Sequence, residues 1–167
     1  MEGKNVVLIG MPGAGKSTVG ILLAKELGLD FVDTDVLIQV QQNKTLQEIL
    51  EEHGYKELRS IEEQAILKLG PGARVVATGG SAIYGERAMG FLGVSSIVVF
   101  IDVSLAMLRS RIHNYDSRGV ARRPEQSFED LFKERMWLYR KYANIIVSGD
   151  KKTPSEIVDA IKFLLAK

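Results

Sequence analysis

Eight consecutive residues, Gly10, Met11, Pro12, Gly13, Ala14, Gly15, Lys16 and Ser17, carry the clearest chemistry in the chain. They fit the spacing G-x-x-x-x-G-K-[ST]. In that pattern glycines let backbone N–H groups converge on a phosphate, the lysine reaches the outer phosphates of a nucleoside triphosphate, and the hydroxyl ligates Mg²⁺. An apolar run precedes the loop and a helical pattern follows it, so a helix N-terminus adds its positive dipole end. Gly13, Ala14, Gly15, Lys16, Ser17 and Thr18 are therefore the expected nucleotide-binding residues, with ATP and Mg²⁺ as the ligands and Lys16 as a catalytic group.

Further charged groups follow in an order that suits phosphoryl transfer. Asp33 and Asp35 flank Thr34 at the end of a second apolar run, and in α/β sheets ligands gather at the carboxyl ends of the strands. One carboxylate can hold Mg²⁺ beside Ser17, and the other can accept a proton from the acceptor hydroxyl. The same Asp–Thr pair also reads as a helix N-cap. Arg59 and Glu62 are spaced i, i+3 and share a helix face, either as part of a site or as a surface ion pair. Thr78, Gly79, Gly80 and Ser81 close another strand, where glycine N–H groups can meet a substrate directly. The polar stretch 114–126, with Arg118, Arg122 and Arg123, reads as a mobile lid, and Arg135 follows on the next helix. Val98–Asp102 has the form of a Walker B strand, with Asp102 expected to cap the helix after it.

Positioning these groups needs an alternation of strands and helices. Strands are expected at Asn5–Ile9, Asp30–Asp33, Arg74–Ala77, Ser96–Ile101 and Asn144–Val147. Helices are expected from Lys16 to Leu27, with Gly28 as the stop, from Thr34 to Gln42, and from Thr45 to Lys68, with a capping box at Thr45 and Glu48 and an interruption at Gly54. Further helices run from Ser104 to His113, from Ser127 to Tyr142, and from Pro154 to Ala166. Short apolar strands separated by helices imply a parallel sheet covered on both faces, in one α/β domain spanning 1–167.

Composition excludes several function classes. Net charge is +1, from 22 basic and 21 acidic residues, so neither nucleic acid nor an anionic membrane is the expected partner. Cysteine is absent, which removes disulfides, thiol catalysis and Cys-ligated zinc. His53 and His113 read as solvated side chains. No apolar run reaches the ~20 residues needed to span a bilayer, and the expectation is a cytoplasmic monomer acting on a small molecule.

The ordered set resembles the shikimate kinase family, in the nucleoside-monophosphate-kinase-like branch of P-loop proteins, over essentially the whole chain. The matching residues are the phosphate loop, Asp33 and Asp35, Arg59 and Glu62, Gly79–Gly80–Ser81, a lid arginine, and Arg135 with Leu138 and Tyr139. The resemblance implies a five-stranded parallel sheet of order 2-3-1-4-5 and transfer of the ATP γ-phosphoryl group to the 3-hydroxyl of shikimate. By the same likeness, Arg59, Arg135 and the Gly80 N–H hold the substrate carboxylate, Gly79 also binds the substrate, and Asp35 binds the ring hydroxyls and takes the proton. Asp33 supports Mg²⁺, Glu62 orients Arg59, and Lys152 lies against adenine. Counted from Arg111, the lid arginine is Arg118, with Arg123 as the alternative. Residues 34–70 become the substrate-binding segment. Four departures from the family pattern stand out: Ser81 for a third glycine, Leu58 for an aromatic, Trp137 for a proline, and a lid without Arg-Pro-Leu-Leu. Two alternatives remain: a kinase for another acceptor such as gluconate or a nucleoside monophosphate, and a non-catalytic nucleotide-binding module.

Overall fold

Apolar runs too short for helices pair side by side in the computed structural model, which describes residues 3–70, 72–112 and 119–167. They form β1 (Asn5–Ile9), β2 (Asp30–Asp33), β3 (Arg74–Ala77), β4 (Ser96–Asp102) and β5 (Ile145–Ser148). The sheet order is β2-β3-β1-β4-β5 and every neighbouring pair is parallel. All five residues of β1 are buried, because a central parallel strand is covered on both faces and has no solvent side to alternate with. Val7 lies between Val76 of β3 and Val98 of β4.

The covering helices are α1 (Lys16–Leu27), α2 (Thr34–Gln42), α3 (Leu46–Leu67), α4 (Glu86–Ser95), α5 (Leu105–Arg111), α6 (Phe128–Tyr142) and α7 (Pro154–Leu165). Their ends are set locally. Thr45 and Glu48 form a reciprocal capping box on α3, and Thr153 and Glu156 form another on α7, where Pro154 occupies the first turn. Gly28 ends α1 in the left-handed region. Gly54 breaks α3 with φ 78° and ψ 170°, so Arg59 and Glu62 ride on a second half-helix with its own direction.

Several elements differ from the sequence expectation. Helix α4 and the 3-10 turn Ala82–Tyr84 were not expected. Gly90 and Gly93 weaken the helical pattern of α4, and burial of Ala88, Met89 and Leu92 holds it instead. Helix α5 ends at Arg111, and His113 lies outside the described residues. Strand β5 begins one residue late, because the Asn144 side chain takes part in the ladder by accepting the Val98 N–H at 2.8 Å. Asp102 does not cap α5. Ser104 does so itself, and Asp102 pairs with Arg140 at 2.7 Å.

A large core surrounds the sheet. A second, smaller cluster of Ile38, Ile49, Leu58, Ala65 and Ala121 fills the space between α2 and α3. Leu58 sits fully inside it, so this departure from the family pattern is a packing residue between helices. Ala121 belongs to the same cluster, and Gly119 N–H donates to Gln47 at 2.8 Å. The described part of the stretch expected to be a mobile lid, residues 119–126, is thus tied to α3, with Val120, Ala121 and Gln126 buried.

Candidate active site

The carboxyl ends of β1, β2 and β3 open into one cavity of about 560 Å³. Its nucleotide side is the loop from Gly10 to Ser17. Gly15 is the N-cap of α1 at φ 91°, a backbone conformation that turns the chain from loop to helix and that L-residues avoid. Ala14 N–H closes the loop on the Met11 carbonyl at 3.1 Å. The Lys16 ammonium is buried and donates to the carbonyls of Gly10 and Met11 at 2.8 and 2.9 Å. Burial lowers its pKa to about 8, although the nearby carboxylate of Asp35 pulls the other way. Ser17 Oγ donates to Asp33 Oδ2 at 2.6 Å, while Asp33 Oδ1 caps α2 by accepting the Asp35 and Val36 N–H groups. The N-cap and ligand readings of Asp33 are therefore compatible, since different oxygens serve each role.

The acceptor side gathers residues that lie far apart in the sequence. Asp35 borders the cavity, yet its Oδ1 is buried without a hydrogen-bond partner. Desolvation raises its pKa to about 6, against the attraction of Lys16. Glu62 is buried opposite, and desolvation together with repulsion from Asp35 raises it to about 7. Gly79 separates the two carboxylates, and a Cβ there would stand 2.6 Å from an oxygen of each. A larger residue there would have to push both carboxylates aside. Ser81 Oγ donates to Glu62, so the third-glycine departure adds a bond inside the site. Glu62 makes no ion pair with Arg59, and its expected role of orienting that arginine is not what the geometry displays.

Two guanidinium groups face each other across the same cavity end. Arg135, from α6, is 1% exposed and donates through Nη2 to the Ala121 carbonyl at 2.9 Å. Arg59, from α3, donates through Nη2 to that same carbonyl at 3.2 Å. Nε of each arginine is buried and unpartnered. A Cβ at Gly80 would lie 2.8 Å from Arg135 Nη1, so the Gly80 backbone also approaches this pair closely. Tyr139 stacks on Phe100 and donates to the Gly80 carbonyl at 2.6 Å, which anchors the turn from the sheet side.

Of the residues singled out from sequence, Gly13, Gly15, Lys16, Ser17, Thr18, Asp35, Gly80 and Arg135 line the cavity. Ala14, Asp33, Arg59 and Gly79 support its wall through the contacts above. Arg118 lies outside the described residues. Arg123, the alternative lid arginine, is exposed and paired with Glu134 at 3.0 Å. Lys152 is exposed in the loop between β5 and α7. Trp137, two residues beyond Arg135, is 65% exposed on the opposite side of α6, beside Lys141. This departure is a surface feature. Thr78, Glu62 and Ser81, also read from the sequence, line the cavity too, whereas Arg111, Gln39 and the Ala121 carbonyl join the site with little local signal to mark them. Arg111 reaches the Gly149 carbonyl at 3.3 Å from the last turn of α5, where a basic residue ordinarily reads as a helix-dipole partner.

A phosphate loop at the end of β1, a 2-3-1-4-5 parallel sheet and an adjoining pocket of arginines and carboxylates define a P-loop kinase of small molecules. Comparison with known proteins narrows the class. The shikimate kinase family model matches residues 12–165. Shikimate kinase of Sulfurihydrogenibium sp. (strain YO3AOP1) is 38% identical over 159 residues, covering 95% of each chain. The structure of shikimate kinase from Acinetobacter baumannii in complex with shikimate superposes with a TM-score of 0.90 at 31% identity, covering 99% of this chain and 94% of the other. Shikimate kinase from Aquifex aeolicus gives 0.84 at 32% identity, over 97% and 96% of the two chains. The chain belongs to the shikimate kinase family, and it is an ATP-dependent kinase.

Proposed function

We propose that the chain transfers the γ-phosphoryl group of ATP to the 3-hydroxyl of shikimate in the cavity between α1, α3 and α6. One observation carries the acceptor assignment: two arginines from different helices, Arg59 and Arg135, converge on a single carbonyl oxygen beside the phosphate loop. A pair of forks aimed at one oxygen position is suited to a carboxylate, which arginine binds through parallel N–H···O contacts. Gly79 and Gly80 leave room for the acceptor ring, and Asp35 lies against Gly79, near enough to Lys16 to feel its charge.

Asp35, held near neutrality by burial, orients the acceptor hydroxyl and receives its proton. Lys16 neutralises charge on the transferred group. The Ser17 hydroxyl and the Asp33 carboxylate are adjacent hard oxygen donors, and they would hold Mg²⁺. Such an ion would draw charge from the β- and γ-phosphates. Among the described residues no group of three or more His, Asp or Glu side chains could hold a metal ion. A monomeric chain belongs to this reading. Among the described residues no helix is long and apolar enough to cross a membrane. A cytoplasmic location is part of the same proposal, as is adenine contact by Lys152.

The test is ADP release from Mg·ATP with shikimate, gluconate or nucleoside monophosphates as acceptor. Stimulation by shikimate alone supports the assignment. Turnover with another acceptor and silence with shikimate would keep the kinase and overturn the substrate.

A further inference from the structure

Arg59 and Arg135 carry like charges into a half-buried space, and their only shared acceptor described above is one neutral carbonyl. Beside both stands Tyr84, at the end of the 3-10 turn that follows Gly80 and Ser81. The Arg59 guanidinium carbon lies 3.5 Å from the centre of the Tyr84 ring, and that of Arg135 lies 5.5 Å from it. Tyr55 adds a more distant ring to Arg59 at 5.1 Å. The ring is itself held: its hydroxyl donates to Glu134 on α6, which also accepts from Gln126 at 2.9 Å and Arg123 at 3.0 Å. An aromatic face is electron-rich and attracts a cation within about 6 Å of its centre, more strongly where water is excluded. One ring, with Arg59 over it and Arg135 within reach, offsets part of their repulsion and holds both guanidinium groups beside it.

We infer that Tyr84 is a positioning residue that sets the spacing of the two arginines for the acceptor carboxylate. This rests on the proposed function, which makes that pair the carboxylate site. Tyr84 acts through the arginines, so its removal weakens acceptor binding and leaves the nucleotide side, built by α1 and Asp33, untouched. The ring face carries the effect, and the hydroxyl tether to Glu134 has a lesser part.

The experiment compares wild type, Tyr84→Leu and Tyr84→Phe in the full chain, with KM measured separately for shikimate and for ATP and thermal midpoints recorded. Tyr84→Leu is expected to raise the shikimate KM about tenfold, the scale of a desolvated cation–π contact, with the ATP KM unchanged within about twofold. Tyr84→Phe, which keeps the face, is expected to stay within about threefold of wild type for both. A shikimate KM unmoved in Tyr84→Leu, or a rise shared equally with ATP, overturns the inference. So does a phenylalanine variant as impaired as the leucine one. Tyr84→Met fills similar space without a ring, and the same criteria decide the matter if the leucine variant does not fold. A wild-type chain that does not phosphorylate shikimate fails earlier. That result overturns the substrate reading and the inference with it, and it is distinct from an unmoved variant.

Discussion

The two sides of the cavity are built on opposite principles. The nucleotide side is contiguous in sequence, made mostly of backbone, and internally bonded: Lys16 donates to Gly10 and Met11, Ser17 to Asp33, and Ala14 to Met11. The acceptor side draws single residues from α2, α3, the turn after β3, the segment before α6, and α6 itself. It keeps polar groups unpartnered in its interior: Asp35 Oδ1 and Nε of both arginines. Two buried carboxylates there are raised toward neutrality. A helix N-terminus and a glycine loop can present N–H groups to any triphosphate, so that half is complete without its ligand. Recognition of one particular acceptor needs side chains held against their own electrostatic preference, and the fold supplies that restraint.

Breaking the acceptor side at its most reactive group gives the largest expected effect. Asp35→Asn keeps the shape but cannot take a proton, and turnover should fall about 10²–10⁴-fold. ATP affinity, measured by titration calorimetry, should hold within a few-fold. Equal loss of both would place Asp35 in the framework of the nucleotide side. Arg135→Ala comes next. Loss of a buried charge-assisted fork should weaken shikimate binding by about 10²-fold and ATP binding far less. An unchanged shikimate affinity would remove Arg135 from the carboxylate site.

The nucleotide side has its own pH signature. Lys16 is lowered to about 8, so in the free chain it begins to lose its proton as pH rises through that value. ATP affinity should be flat from pH 6.5 to 7.5 and about tenfold weaker near pH 9, because the phosphates favour only the charged lysine. A flat profile to pH 9 would show that the charge on Lys16 does not set the affinity.

The smallest effect sharpens the contrast through stability. Glu62 is raised from 4.5 to about 7 in the folded chain, so the folded state binds more protons than the unfolded state between those values. Its ionisation therefore weakens folding as pH rises through that window, and the penalty is complete above it. Glu62→Gln should raise stability by about 1 kcal/mol or more at pH 8, with the gain vanishing near pH 4, while shikimate turnover declines. Denaturant titrations at the two pH values check it. A variant less stable at pH 8 would make Glu62 a structural support through Ser81.

Much of this molecule was legible in order along the chain. The phosphate loop needs only neighbours: glycine at Gly13 and Gly15, Lys16 and Ser17 at fixed offsets, an apolar strand before and a helix after. The capping box at Thr45, the stop at Gly28, the break at Gly54 and Pro154 at the start of α7 are likewise local, since each is decided by backbone geometry within four residues. Sheet order followed from the family likeness, and it is observed. Helix α4 was not legible, because its glycines argue against a helix and only packing against the sheet and α3 overrules them. The partners of Glu62 and Asp102, the burial of Leu58 and the solvent position of Trp137 were decided by which helix faces meet. So was the convergence of Arg59 and Arg135 on the Ala121 carbonyl, with Tyr84 beside them. Sequence spacing reports a contact when both partners lie on one turn or one strand end. A pocket closed by residues 62 positions apart is set by tertiary packing, because the distance between them depends on every element folded in between.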